Sequence, residues 1–166
     1  NVFGITQTKS YDLKTYSKIV ELSKKLPFKF NCEKERISYR DKDMYNYLSE
    51  FGKTFDKYIP ESIKNASQRQ IKIFLDAFIC CDGMVRKPRE FIGNHGHRFI
   101  SEKDERVYFT SSQRLASDLG ELLVKIGKRP SYLIASKKGT ESVFRNGTYR
   151  TNADCYRISE CSGKTA

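Results

Sequence analysis

Apolar positions recur at two spacings along this chain, and the alternation between them repeats once. Over residues 12–26 the side chains of Leu13, Tyr16, Ile19, Val20 and Leu22 fall three or four apart, which predicts an amphipathic helix. Ile5-Thr6-Gln7-Thr8 ahead of it has the residue types of a strand. About a hundred residues later the order returns. Val107-Tyr108-Phe109-Thr110 reads as a strand, and residues 113–126 as a helix with Leu115, Leu119, Leu122, Leu123 and Ile126 on one face. The junctions match as well: Ser10 and Ser112 are both placed to cap the helix that follows. Each helix leads to a strand pair. In the first half these are residues 28–32 and 36–39, followed by a short helix over 42–51; in the second they are 131–135 and 155–160, joined by a hairpin loop rich in Gly, Lys and Arg. Gly52 and Gly127 stand where helices should stop. Pro60 closes the first half because proline cannot continue a helix.

Between the halves, Ser67 and Gln70 form a capping box, and Ile71, Phe74, Leu75, Phe78 and Ile79 make an apolar face too wide for a surface helix. This helix belongs in a core. It ends at Asp82-Gly83, and a basic strand begins at Met84. The repeat divides the chain into halves 1–66 and 67–166, the second opening with the helix over 67–83.

Charge narrows the class of partner. The 166 residues carry a formal net charge of +11, with 38% hydrophobic residues, a folded composition. A basic membrane-surface helix would concentrate Lys and Arg on one apolar-backed segment; here they are spread over many short segments, as a long phosphate track requires. No apolar run would span a bilayer and no signal pattern opens the chain, so a cytoplasmic setting is expected, in a host or phage-infected cell. The five cysteines form no CxxC pair, and adjacent Cys80 and Cys81 cannot act as an ordinary zinc pair; reduced thiols serving as small packing residues are expected. His95 and His97 invite a zinc reading, but no cysteine or third histidine is near them in sequence, and a DNA-facing loop is the expectation.

The run Leu75-Asp76-Ala77-Phe78-Ile79-Cys80-Cys81-Asp82-Gly83 resembles, position by position, the nine-residue signature of the LAGLIDADG homing endonucleases, most closely those carried inside inteins. The resemblance implies an α+β fold of two pseudo-two-fold αββαββα-type halves with saddle-shaped antiparallel sheets. Two signature helices pack at the axis, with Ala77 and Cys81 at the crossing where small residues are needed. Cys80 replaces the family's first acid; the last acid, which the family uses in catalysis, is Asp82. Phosphodiester cleavage needs a metal-activated water, and Mg2+ (or Mn2+) takes hard oxygen ligands, so Asp82 with the adjoining Gly83 is assigned to the metal. Lys53-Thr54-Phe55-Asp56-Lys57-Tyr58-Ile59-Pro60 resembles the family's lysine, then Ile-Pro, ahead of the helix; this carries Lys57 over as the active-site lysine, with Lys164 as its second-half counterpart.

The family's sheets lie in the DNA major groove. The resemblance therefore nominates Gln7, Lys9, Lys29, Arg36 and Arg40 in the first half, and Arg86, Lys87, Arg89, Arg98, Lys103, Arg106, Lys137, Lys138, Arg145, Arg150 and Arg157 in the second. The reading is a site-specific double-strand endonuclease; a catalytically inactive maturase-like module that binds DNA or RNA is its rival. The repeat calls for a first signature helix before Ile5. It is expected in a longer intein upstream of this chain, giving a pseudo-two-fold monomer; otherwise the site would be completed by a homodimer.

Overall fold

Local sequence signals set most element boundaries in the computed structural model, which describes residues 2–161 apart from 11, 93–95, 97, 102–103 and 145–146. The chain forms two units, Asn1–Glu50 and Phe51–Ala166. The repeat boundary at 66/67 thus differs from the division between the units, because residues 51–66 fold with the second: Ile59 is 2% exposed in its core.

The first unit holds β1 (Val2–Thr6), α1 (Leu13–Ser23), β2 (Lys29–Cys32), β3 (Arg36–Arg40) and α2 (Lys42–Ser49). Its antiparallel sheet runs β1-β3-β2. Tyr16, Ile37 and Tyr39 form a small core with Phe3, Ile19, Val20, Phe28 and Phe30 around it. Leu13 and Leu22, expected on the buried stripe of α1, are exposed. The cap of α1 also differs from expectation. Asp12 rather than Ser10 caps it, accepting from the Thr15 amide at 3.0 Å, since a carboxylate one residue before the first turn reaches the free N–H groups directly.

The second unit comprises α3 (Glu61–Lys64), α4 (Gln68–Asp82), β4 (Gly83–Arg86), β5 (Arg89–Ile92), β6 (Arg98–Ser101), β7 (Glu105–Thr110), α5 (Gln113–Lys125), β8 (Arg129–Ser136), β9 (Glu141–Phe144), β10 (Gly147–Arg150) and β11 (Cys155–Cys161). Its main sheet is antiparallel in the order β4-β7-β11-β8; β5–β6 and β9–β10 are separate two-stranded ribbons. The repeat is visible as topology. In the first unit β1 and β2 flank β3, and in the second β7 and β8 flank β11, with α1 and α5 in the same place in the order. Pro60, read from sequence as a stop, is instead the residue that starts α3: its φ of −65° suits the position before a helix.

Ile71 and Leu75 of α4 and Leu115, Ala116, Leu119, Leu122 and Leu123 of α5 pack with Tyr108 and Ile158 of the sheet. The capping box at Ser67 and Gln70 is formed, and Ser112 caps α5, accepting from Leu115 N at 3.1 Å. No described helix is long and apolar enough to cross a membrane.

Gly83 joins α4 to β4 without the left-handed geometry that glycine often serves; its φ is −136° and ψ −178°. The requirement is space. A Cβ here would lie 2.9 Å from both the Val107 carbonyl oxygen and the Ile79 Cα, which are backbone atoms that cannot turn aside. Gly83→Ala is expected to lower stability by about 1–3 kcal/mol through overpacking, read as an earlier urea midpoint. An unchanged midpoint would show that the helix and strand have room to separate.

Candidate active site and nucleic-acid interface

The end of α4 presents a carboxylate that the fold does not use. Asp82 is exposed, and among the described residues its side chain has no hydrogen-bond or ion-pair partner. Beside it, partial desolvation of the sulfur and then the charge of Asp82 push the Cys81 thiol up from its ordinary value, although the residue as a whole is exposed. Along the same helix Ile73, Ala77 and Cys81 are all exposed at i, i+4 and i+8, a stripe of apolar and small residues on a face other than the one carrying Ile71 and Leu75. Cys32, Cys80 and Cys81 are free and exposed and Cys155 is half-buried, so the first three do not pack in the core of the described residues.

No three of His, Cys, Asp and Glu come together among the described residues as a metal cluster. The donor chemistry at Asp82 fits one ligand of a magnesium site: a solvent-accessible hard oxygen, free of internal partners, for an ion that keeps much of its water shell. Lys57 is exposed and its side chain has no partner among the described residues, while its carbonyl accepts from Ser112 Oγ at 2.7 Å. Lys164, His95 and His97 lie outside the described residues.

Strand register separates the arginines by face, because paired residues project to the same side of a sheet. In the first unit Ile37 and Tyr39 face α1, so Arg36 and Arg40 project to the opposite side, joined there by Lys29 and Asn31 through the pairs Lys29↔Arg40 and Asn31↔Ser38. Three expected DNA-contacting residues, Lys29, Arg36 and Arg40, therefore share one open face. Arg36 lies 4.0 Å from Glu33 there. Gln7 and Lys9 follow β1, where their amides bond the Glu35 and Lys34 carbonyls.

In the second unit Tyr108 and Ile158 mark the helix side. Arg86, Glu105 and Arg157 lie on the other side, with Arg129, Ser131 and Leu133 of β8 in register beside them. Glu105 sits 3.7 Å from Arg86 and 3.9 Å from Arg157, holding both guanidinium groups on this face. On the same face Ser159 is buried, and among the described residues neither its Oγ nor Arg157 Nε has a hydrogen-bond partner. Arg129, Asn31 and Glu105 were not singled out from sequence; it is the strand register that places them on these faces.

Arg106 departs from expectation. It projects to the helix side, where it meets Asp76 at 2.8 Å, the Leu75 carbonyl at 3.2 Å and Glu160 at 3.5 Å. Tyr108 donates to Glu160 at 2.5 Å; burial, then that bond, raises the phenol's pKa and keeps its proton in place. Arg106 thus ties α4 to the sheet. Of the other nominated cations, Lys87 pairs with Asp104, Arg98 with Glu90 and Arg150 with Glu141, all at the exposed surface. Register puts Arg89 and Arg98 on opposite faces of the β5–β6 ribbon. Lys137 and Lys138 are exposed ahead of β9, and Lys103 and Arg145 lie outside the described residues.

The fold is shared with solved structures. A mesophilic variant of the homing endonuclease I-DmoI aligns over 97% of this chain and 74% of its own, with a TM-score of 0.50 at 14% identity. A variant of I-DmoI in complex with its target DNA aligns over 96% of this chain and 72% of its own, with a TM-score of 0.46 at 13% identity. The chain has the α+β architecture of the LAGLIDADG homing endonucleases, with antiparallel sheets backed by helices. No family model matches it. By sequence, a replicative DNA helicase DnaB from Synechocystis is 33% identical over 101 residues, which are 57% of this chain and 10% of that protein. The chain therefore spans about a tenth of the length of that relative.

Proposed function

We propose that this chain is the endonuclease domain of a LAGLIDADG-type homing endonuclease lodged in a longer host protein, as in an intein, and that it hydrolyses double-stranded DNA at a specific site with Mg2+ (or Mn2+). The end of α4 carries the reading: Asp82, without a side-chain partner among the described residues, stands beside an exposed stripe of Ile73, Ala77 and Cys81 that suits close packing of a second helix of the same kind. That helix would come from elsewhere in the polypeptide or from a second copy of the chain. The match to a small fraction of a much longer helicase fits an inserted domain.

Asp82 binds the cation with Gly83 setting its position at the start of β4. A divalent ion held there would supply an activated water and neutralise charge on the phosphate oxygens. Lys57 steadies the scissile phosphate. The sheet faces opposite the helices, through Lys29, Arg36 and Arg40 and through Arg86, Arg129 and Arg157, set the register of the duplex by phosphate contacts and read base edges in the major groove.

The test is selection of cleaved molecules from a pool of randomised duplexes by the full-length protein containing this chain. One related set of sequences is expected to be cut on both strands with Mg2+ and left whole with chelator. Sequence-specific binding without cleavage would overturn the enzymatic reading in favour of an inactive DNA-binding module.

A further inference from the structure

The segment that carries Lys57 is held by α5 at consecutive residues. It begins in a folded-back turn: Gly52 has φ +77°, Thr54 is a non-glycine residue at φ +30°, and the Asp56 amide donates to the Lys53 carbonyl at 2.8 Å. Backbone in the left-handed region persists where its surroundings hold it. Those surroundings come next. Ser112 Oγ, whose other bond caps α5, donates to the Lys57 carbonyl at 2.7 Å. The Arg114 guanidinium lies 4.1 Å over the ring of Tyr58, and Phe51 meets the same ring edge-on at 5.8 Å. The Asp118 carboxylate accepts from the Ile59 amide at 2.8 Å and from the Lys64 ammonium at 2.7 Å.

Asp118 is only 5% exposed, on a helix whose neighbouring positions are Leu115, Leu119 and Leu122. A carboxylate there is costly unless fully paired, and an apolar residue would pack as well. Its two bonds both go to residues 59–64, the stretch that follows Lys57. Ile59 in turn packs in the same core as Ile71 and Leu75 of α4. The backbone from 57 to 59 is therefore fixed on the elements that also fix α4, while the Lys57 side chain remains exposed and has no partner among the described residues.

Resting on the assignment of Lys57 to the active site, we propose that Ser112 and Asp118 are positioning residues that hold the Lys57 backbone so that its ammonium meets the scissile phosphate at a fixed place relative to the end of α4.

The experiment uses the full-length protein and its cleaved target. Ser112→Ala is expected to lower the single-turnover cleavage rate about ten- to a hundredfold with unchanged DNA affinity, the cost of a small misplacement remote from the chemistry. Ser112→Thr, which keeps the hydroxyl donor, restores the rate. In a Lys57→Ala background Ser112→Ala has no further effect on the rate, as coupled residues require. Arg114→Met, at an exposed position that folding tolerates, gives a smaller loss with the same dependence on Lys57. A rate unchanged by Ser112→Ala and Arg114→Met, or losses that multiply with that of Lys57→Ala, would overturn the proposal while leaving the endonuclease reading intact. Full cleavage by Lys57→Ala alone would remove the lysine assignment, and the proposal with it.

Discussion

Replacing Asp82 by Asn is expected to stop cleavage and leave both folding and DNA binding in place. The substitution keeps the shape of the side chain and removes its charge. Nothing in the fold depends on that charge, because Asp82 is exposed and has no internal partner among the described residues. A stability loss therefore has no source, and the urea midpoint should stay where it is. Chemistry has every source. The carboxylate is the hard oxygen ligand that the end of α4 offers, and a neutral amide binds Mg2+ far more weakly. On the proposed reading, losing it would remove the activated water and the charge neutralisation together, several kcal/mol of transition-state stabilisation, or about a thousandfold or more in rate. Binding, measured with Ca2+ in place of Mg2+, should hold or strengthen slightly, since a negative charge beside the phosphates has gone. Undiminished cleavage by Asp82→Asn would sink the assignment of α4 as the signature helix.

That helix was the most legible part of the molecule. Its capping box, its apolar positions and its exit at Asp82-Gly83 are all local signals, and each reappears in α4. The repeat was legible for a similar reason: strand and helix periods alternate in the same order around α1 and α5, and the order β1-β3-β2 recurs in β7-β11-β8. What was obscured depends on tertiary context. Ser10 and Asp12 both offer an oxygen near the start of α1, and only geometry chooses Asp12. Pro60 could end one element or begin another, and the contacts of α3 with α5 through Lys64 and Asp118 decide it. The side of a strand is readable only where one face is polar. Phe30, Ile37 and Tyr39 alternate with Lys29, Arg36, Ser38 and Arg40, so the first unit's open face could be found. In β7, Val107 and Tyr108 are both at 0% exposure, so its adjacent residues give no alternation and the side taken by Arg106 was hidden.

Arg106→Ala is for that reason expected to act on stability before DNA affinity. The guanidinium reaches three acceptors on two elements: Asp76 and the Leu75 carbonyl on α4, and Glu160 on β11. The Asp76 side chain is 65% exposed, so that ion pair contributes little. Glu160 is different, with its side chain only 9% exposed. Without Arg106 its charge keeps Tyr108 as a donor and loses its cation. Breaking a largely buried pair from one side costs on the order of 3 kcal/mol, because the remaining charge is left without its counterion. Urea unfolding should therefore show a clearly earlier midpoint for Arg106→Ala. Adding Glu160→Gln should recover part of the loss, since the uncompensated charge is then gone while an acceptor for Tyr108 remains. A DNA-contacting arginine behaves otherwise: its removal leaves the midpoint unchanged and lowers the salt dependence of binding by about one unit of slope. An unchanged midpoint with that lower slope for Arg106→Ala would move the residue to the DNA face and leave α4 joined to the sheet by its apolar contacts alone.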